Sequence, residues 1–285
     1  KRRNLELLAP SSKELNITNK KDFKKFIKNF KPHIVINTAA YTNVDRAEEE
    51  KELSKKINFE AVKNLIPYLS KEKIFFIQVS TDYVFGSKGK APYKISDQIS
   101  PMTFYGLSKA KAEESIIANL KNFMIIRAAS LIGLEGNNFF KTIMNNLREQ
   151  KELKIISDQK ISITWSRELA EAILNICEGY QNNNDQKKNI SNKAIIHIVN
   201  RGHTNWYELS KEIELNYNKY LNNNDSSLSN IRPILSSEWT AKSVRPLDSR
   251  LDIDENTFID NEIDMSHWKD AVRLMTKEYL REMEV

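Results

Sequence analysis

Tyr105 and Lys109 stand four residues apart in Tyr105-Gly-Leu-Ser-Lys109, where helical spacing begins. On an α-helix that interval puts both side chains on one face, a turn apart. A phenol titrates near pH 10 and is a poor acid at neutrality, but an adjacent ammonium favours the phenolate and lowers that value. Such a pair can hand a proton to a carbonyl oxygen as hydride reaches the carbonyl carbon. Taken alone, the same spacing also describes an ordinary exposed helical turn.

Two further segments give the pair a context. Ser80-Thr81-Asp82-Tyr83-Val84-Phe85-Gly86 follows the most apolar short run of the chain, Ile74-Phe-Phe-Ile-Gln-Val-Ser80. Polar residues at the carboxyl end of a parallel strand sit where α/β sheets bind ligands, and hydroxyls there can donate to a substrate carbonyl. Asn37-Thr-Ala-Ala-Tyr-Thr-Asn-Val-Asp45 follows another such run, His33-Ile-Val-Ile-Asn37. Its small Ala39 and Ala40 let a flat group approach the backbone, although a tight strand-to-helix turn also needs small residues.

The elements that must position these segments follow from periodicity. Strands are expected at Leu5–Ala9, His33–Asn37, Ile74–Ser80 and Phe123–Arg127. Helices are expected at Lys20–Lys31, which Pro32 closes, at about Glu48–Ser70, and at about Phe104–Leu120. In the first helix Phe23, Phe26, Ile27 and Phe30 form the apolar side, and the six lysines read as its solvated face. The acidic run Glu48-Glu-Glu50 is expected to favour a helix N-terminus through the macrodipole. Strand and helix in alternation imply right-handed crossovers and a parallel sheet covered on both faces, so the fold class is α/β. Past about residue 131 the rhythm loosens. Asn182–Asn184 and Asn222–Asp225 read as surface loops, and a smaller lobe is expected there.

Composition excludes several function classes. The chain has 285 residues, 40% hydrophobic and 29% charged, as in globular proteins with a sizeable core. No apolar run approaches the ~18 residues of a membrane span, and no signal peptide is visible behind Lys1-Arg-Arg3. A lone cysteine, Cys177, offers no internal disulfide and fits a reducing, cytoplasmic setting. It falls on an apolar helical stripe and is expected to be a buried thiol. The net charge of +6 is spread along the chain, and the aromatics beside the basic helix lie on its apolar side, so nucleic acid is not an expected partner. The four histidines show no ligand spacing, so no metal site is expected.

Asn-Thr-Ala-Ala-Tyr-Thr-Asn-Val-Asp45, Ser-Thr-Asp-Tyr-Val-Phe85 and Tyr-x-x-x-Lys109, in this order, resemble the extended short-chain dehydrogenase/reductase superfamily. Within it they resemble the dTDP-4-dehydrorhamnose reductases. The resemblance continues through Gly136-Asn-Asn-Phe139, Asp158-Gln159, Trp206-Tyr-Glu-Leu209, Arg245-Pro-Leu-Asp-Ser-Arg-Leu251 and Trp268-Lys-Asp-Ala271, and so covers most of the chain. It implies a Rossmann-like doubly wound sheet in residues 1–150 and a mainly substrate-binding lobe in 151–285, some of whose segments return to the sheet. It implies NADPH or NADH as cofactor and reduction of C4 of a dTDP-linked 4-keto sugar. Tyr105 would donate the proton, Lys109 would bind the nicotinamide ribose and tune Tyr105, and Thr81 would sit beside the substrate carbonyl. Tyr83 would line the sugar pocket. Ala39, Ala40 and Tyr41 would line the cofactor cleft, with Ser80 near the nicotinamide. Arg245 and Arg250 are candidates for nucleotide-side contacts, though an ion pair explains either as well. A homodimer is compatible with the family.

Three departures matter. The family opens with a strand and a glycine turn that cradles the cofactor pyrophosphate, whereas the first glycine here is Gly86. The sequence is therefore expected to lack roughly 25 residues of the family pattern, the size of a strand-turn-helix unit, and its sheet to carry an unpaired edge. Ala128-Ala-Ser-Leu-Ile132 stands where the family often has a tryptophan, and Ile161 and Ile163 precede Thr164 where a glycine and a proline are usual. The alternatives are another sugar-nucleotide reductase or epimerase, or a non-catalytic homologue.

Overall fold

A computed structural model describes residues 5–86, 88–149, 151–182, 193–221 and 231–283. Its first helix, α1 (Lys20–Phe30), is capped by the Asn19 side chain and ends at Lys31 in the left-handed region. Phe23 and Ile27 are buried and the lysines point outward, as the spacing requires. Strand β1 (Ile34–Asn37) leads to a short helix α2 (Val44–Ala47) and then to one helical run. That run comprises α3 (Lys51–Lys55), a π-turn at Lys56–Glu60 and α4 (Ala61–Lys71). Strand β2 (Phe75–Thr81), helix α5 (Phe104–Asn119) and strand β3 (Phe123–Ala128) follow.

The second part carries β4 (Leu131–Ile132), α6 (Phe139–Arg148), β5 (Leu153–Ile156), β6 (Lys160–Ile161), β7 (Thr164–Trp165) and α7 (Ser166–Asn182). It continues with β8 (Lys193–His197), β9 (Thr204–Asn205), α8 (Trp206–Tyr220), β10 (Ile231–Ile234), α9 (Glu255–Asp260) and α10 (Trp268–Met283). The main sheet has the order β1-β2-β3-β8, every pair parallel. Residues 193–197 therefore return to the sheet, beside β3.

Alternation along the strands builds two cores. Phe75, Ile77, Met124 and Ile126 pack with α7 residues Leu169, Ile173 and Ile176 on one face. Phe76, Phe123 and Ile125 pack with Phe23 and Ile27 of α1, Leu65 and Leu69 of α4, and Ala112 and Ile116 of α5 on the other. A third core joins α6, α8 and α10 around Phe140, Ile213 and Met275. Cys177 is buried in the first.

Leu5–Ala9 differs from expectation, because no strand forms there. A strand is defined by ladder bonds to a neighbour. Among the described residues β1 is paired on one side only. Leu5 rests against the sheet core while Leu7 is 68% exposed. Of the expected loops at Asn182–Asn184 and Asn222–Asp225, Asn182 instead ends α7, and the remaining residues lie outside the described ones.

Candidate active site

Strand β2 ends at Thr81, whose hydroxyl oxygen caps a single 3-10 turn, Asp82–Val84, by accepting the Tyr83 N–H at 3.2 Å. This turn lies at the carboxyl end of the parallel sheet, where the strands' loops face outward. Helix α5 comes down onto it. Thr103 caps the helix by accepting the Gly106 N–H at 3.0 Å, and the Glu48 carboxylate, from α2's end, accepts the Phe104 N–H at 2.7 Å. Of the acidic run, Glu48 alone thus serves the N-terminus of the helix bearing Tyr105 and Lys109; Glu49 pairs with Lys242 and Glu50 with Tyr41 and Arg46.

Gly106 sets how closely the helix approaches. A Cβ at that position would lie 2.1 Å from the Tyr83 carbonyl oxygen and 3.1 Å from Pro101 Cβ. Only hydrogen fits. The close approach brings Tyr105 edge-on to Tyr83, with ring centroids 5.9 Å apart and planes at 71°. Thr81, Tyr83 and Tyr105, predicted from sequence, are therefore gathered at one point.

Lys109 lies one turn farther along α5, 3% exposed, and its Nζ donates to the Val79 carbonyl at 2.6 Å. Burial lowers its pKa to about 8, against the opposing charge of Glu113. The expected lowering of the Tyr105 phenol is absent here. Burial instead pushes it up to about 12, the Thr81 hydrogen bond opposing and the Asp82 charge adding to the rise. The ammonium is turned to the strand carbonyl rather than to the phenol, so it supplies no phenolate stabilisation in this state.

Ser80 lies at the strand end, but its hydroxyl points inward and donates to Glu113 at 2.5 Å. Glu113 in turn holds Arg127 through Nε at 3.2 Å and Nη2 at 2.7 Å, with both side chains buried. Arg127 also lies over the Phe85 ring at 5.0 Å and approaches His197 Nε2 at 3.5 Å. The network fixes the floor of the site, joining α5, β2, β3 and β8.

Of the residues expected in the cofactor cleft, Ala39 is exposed and Ala40 half-buried in the turn after β1. Tyr41 follows, with its hydroxyl donating to Glu50 at 2.7 Å. The turn's conformation depends on Asn58, in the π-turn. Asn58 Oδ1 accepts the Tyr41 N–H at 2.8 Å, and its Nδ2 donates to the Tyr41 carbonyl at 3.1 Å and to Ser108 Oγ at 2.9 Å. One side chain thereby joins the turn after β1 to α5. Sequence reasoning missed Asn58, Gly106 and Glu113 as parts of the site. Only Glu113 left a local signal, being four residues beyond Lys109 on the same face.

Arg245 pairs with Asp45 at 2.9 Å and Arg250 with Asp248 at 2.7 Å, so the ion-pair explanation holds for both. The altered pocket residues are structural in part. Ile161 and Ile163 are buried, and Thr164 Oγ1 donates to the Ala129 carbonyl at 2.8 Å. Among the described residues, two buried polar atoms of this region, Asp82 Oδ2 and Arg245 Nε, have no hydrogen-bond partner. A cavity of about 890 Å³ lined by Lys160, His203, Lys211, Arg250 and Lys269 lies away from this point and contains none of the catalytic candidates.

The residues present suit the nicotinamide-ribose end of a dinucleotide: a buried ammonium, a phenol and a threonine hydroxyl at a strand end. The sequence supplies no glycine turn before Gly86 for a pyrophosphate. Among the described residues no helix is long and apolar enough to cross a membrane.

The model of the RmlD substrate binding domain family matches residues 1–281. The chain is similar to the spore coat polysaccharide biosynthesis protein SpsK of Bacillus subtilis (strain 168), with 31% identity over 280 residues, 97% of this chain and 89% of that protein. It is similar to the dTDP-4-dehydrorhamnose reductase of Aggregatibacter actinomycetemcomitans, at 31% over 250 residues, covering 87% and 82% of the two chains. Among solved structures it resembles the dTDP-4-dehydrorhamnose reductase of Bacillus anthracis str. Ames in complex with NADP. There the TM-score is 0.78 at 28% identity, over 94% of this chain and 88% of that one.

Proposed function

We propose that this chain, which belongs to the RmlD substrate binding domain family, reduces the C4 keto group of dTDP-4-dehydrorhamnose to give dTDP-L-rhamnose. It is an NAD(P)-dependent oxidoreductase of Rossmann-like α/β fold. Bound NAD(P)H supplies the hydride; the protein's own groups hold the ketone and manage the proton. The observation that carries the reading is the convergence of Tyr105, Thr81 and Tyr83 at the end of β2, with Lys109 one turn behind.

In this reading the Thr81 hydroxyl and the Tyr105 phenol direct donors at the carbonyl oxygen, and Tyr105 gives up its proton as the alkoxide forms. A phenol pushed up to about 12 holds that proton at neutral pH, as an acid must. Tyr83 walls the sugar. Lys109 turns from the Val79 carbonyl to the ribose when the cofactor binds. Residues 1–150 serve the cofactor and 151–285 mainly the substrate. The sequence Ala128-Ala-Ser-Leu-Ile132, without the family's tryptophan, favours a second reading in which another keto sugar fills the pocket.

The test is an NADPH titration followed by energy transfer from the tryptophans, then product analysis with dTDP-4-dehydrorhamnose. Saturable binding and a dTDP-L-rhamnose product are expected. A folded chain that binds no NADPH contradicts the proposal, and reduction of a different keto sugar alone selects the second reading.

A further inference from the structure

Two buried amides interrupt the apolar lining of the sheet. Gln78 is 1% exposed and Asn37 5%. Alternation along β2 puts Gln78 on the face where Phe76 packs against α5. A strand covered on both faces reads as a continuous apolar run, so a polar side chain buried there needs partners.

The partners lie at the point where β1 stops. Asn37 opposite Gln78 is the last register pair of β1 with β2. The Phe75 N–H bonds to the His33 carbonyl on the β1 side, and alternation turns the main-chain groups of Val79 the same way. The Val79 carbonyl therefore lies just past the ladder. The Ala39 N–H, which a longer β1 would bring to it, donates to Asn37 Oδ1 at 3.2 Å instead. Two side chains take the freed carbonyl: Lys109 Nζ donates to it at 2.6 Å and Gln78 Nε2 at 2.7 Å. The amide orientations are forced. The Ala39 N–H can only donate, so Asn37 turns its oxygen to it. Asn37 Nδ2 then donates to Gln78 Oε1 at 2.9 Å, which leaves Gln78 Nε2 for the carbonyl.

We propose that Gln78 is a positioning residue for cofactor binding, keeping the Val79 carbonyl satisfied when Lys109 leaves it for the ribose. The inference rests on the reductase reading, in which Lys109 makes that turn, and deepens it. A carbonyl oxygen has two lone pairs, and with a donor on each, one donor can depart without orphaning a buried acceptor. With Lys109 alone on it, the departure would leave the acceptor bare, and that cost would oppose binding. Glu113, the carboxylate one turn beyond Lys109, is taken by Arg127 and Ser80, so the ammonium's anchor in this state is the carbonyl. The amide chain ends on the Ala39 N–H, so the residues that release Lys109 also fix the start of the turn expected to line the cofactor cleft.

The deciding experiment is a double-mutant cycle read as NADPH affinity, by titration with energy transfer from the tryptophans, in wild type, Gln78→Met, Lys109→Met and the double variant. Gln78→Met keeps the length of the side chain and removes its donor. It should weaken NADPH binding roughly 10- to 100-fold, the effect of one buried acceptor left bare, while kcat at saturating NADPH stays near the wild-type value. In the Lys109→Met background the same substitution should change affinity less than about 2-fold, because no ammonium then leaves the carbonyl. An amide that only fills space would act alike in both backgrounds. Equal losses in the two, or no loss in the first, overturn the proposal and leave the reductase reading standing. A wild type that binds no NADPH sinks both. A second measurement needs no variant. Val79-Ser80 is the sequence's one Val-Ser step, so isotopic labelling of valine at its carbonyl carbon and serine at its nitrogen selects that carbonyl alone. Its resonance should move upfield as NADPH saturates the wild-type chain and one of its two donors departs. A resonance that stays in place with NADPH bound overturns the proposal whatever the variants do.

Discussion

Replacing Gly106 by alanine tests whether the approach of α5 to the β2 turn organises the site. The new Cβ would sit 2.1 Å from the Tyr83 carbonyl oxygen and 3.0 Å from its carbon, both main-chain atoms that cannot swing aside. Non-bonded carbon and oxygen tolerate little below about 3 Å, so α5 and the turn must part by roughly 1 Å. Overpacking of this size costs about 1–3 kcal/mol. For a chain of this length that is a fall in Tm of roughly 2–6 °C. The catalytic effect should be larger in proportion. Tyr105 precedes Gly106 and Lys109 lies one turn on, so the displacement falls on both, and ~1 Å of misplacement costs about 100-fold in rate. That equals about 2.7 kcal/mol of transition-state stabilisation. Thermal melts and kcat/KM for Gly106→Ala measure the two losses, with Leu107→Ala, at a surface position of the same helix, as the control. A Gly106→Ala protein with wild-type kcat/KM would refute the reasoning, because the clash could then be relieved without moving the proton donor.

Other consequences concern the floor of the site. Glu113→Ala leaves buried Arg127 without its carboxylate and should cost about 3–5 kcal/mol in urea denaturation. His197 is 1% exposed, and burial first, then the Arg127 charge, lowers its pKa to about 4. Its folded value lies below the unfolded ~6.5, so the stability it contributes is intact above pH 6.5 and lost as the pH falls toward 4, about 3 kcal/mol in all. His197→Gln should flatten that part of the stability-pH curve, and an unchanged slope refutes the assignment. Asn58→Ala removes both bonds to the Tyr41 main chain and the one to Ser108. It should cost about 1–3 kcal/mol and raise KM for NADPH more than it lowers kcat; the reverse pattern counts against a role in shaping the cofactor turn.

Much of the fold is legible in the sequence because its signals are local. The β2 and β3 strands are short runs of apolar residues in which nearly every position is buried, as in a sheet covered on both faces. The lysine-rich α1 shows its apolar stripe directly. Tyr105 and Lys109 are legible for the same reason: a helix turn is fixed by spacing alone. Leu5–Ala9 fails because a strand needs a partner, which no property of five residues can supply. Gly106 is equally opaque, reading as a weak point in a helix until Tyr83 lies against it. Asn58 and Glu48 act across 17 and 56 residues of sequence, on Tyr41 and Phe104, and only tertiary packing brings them there. The expected lowering of the Tyr105 phenol went astray because spacing places Lys109 on the right face but cannot show that the Val79 carbonyl takes its ammonium.

Hydride transfer with an isotopic label tests the central claim most directly. The chain is incubated with NADPH carrying deuterium at the transferable C4 position and with dTDP-4-dehydrorhamnose, and the sugar is analysed by NMR and mass spectrometry. Deuterium at C4 of the hexose, with roughly 100- to 10,000-fold slower incorporation in Tyr105→Phe, is the predicted result. Deuterium elsewhere in the product, or equal incorporation in Tyr105→Phe, contradicts it.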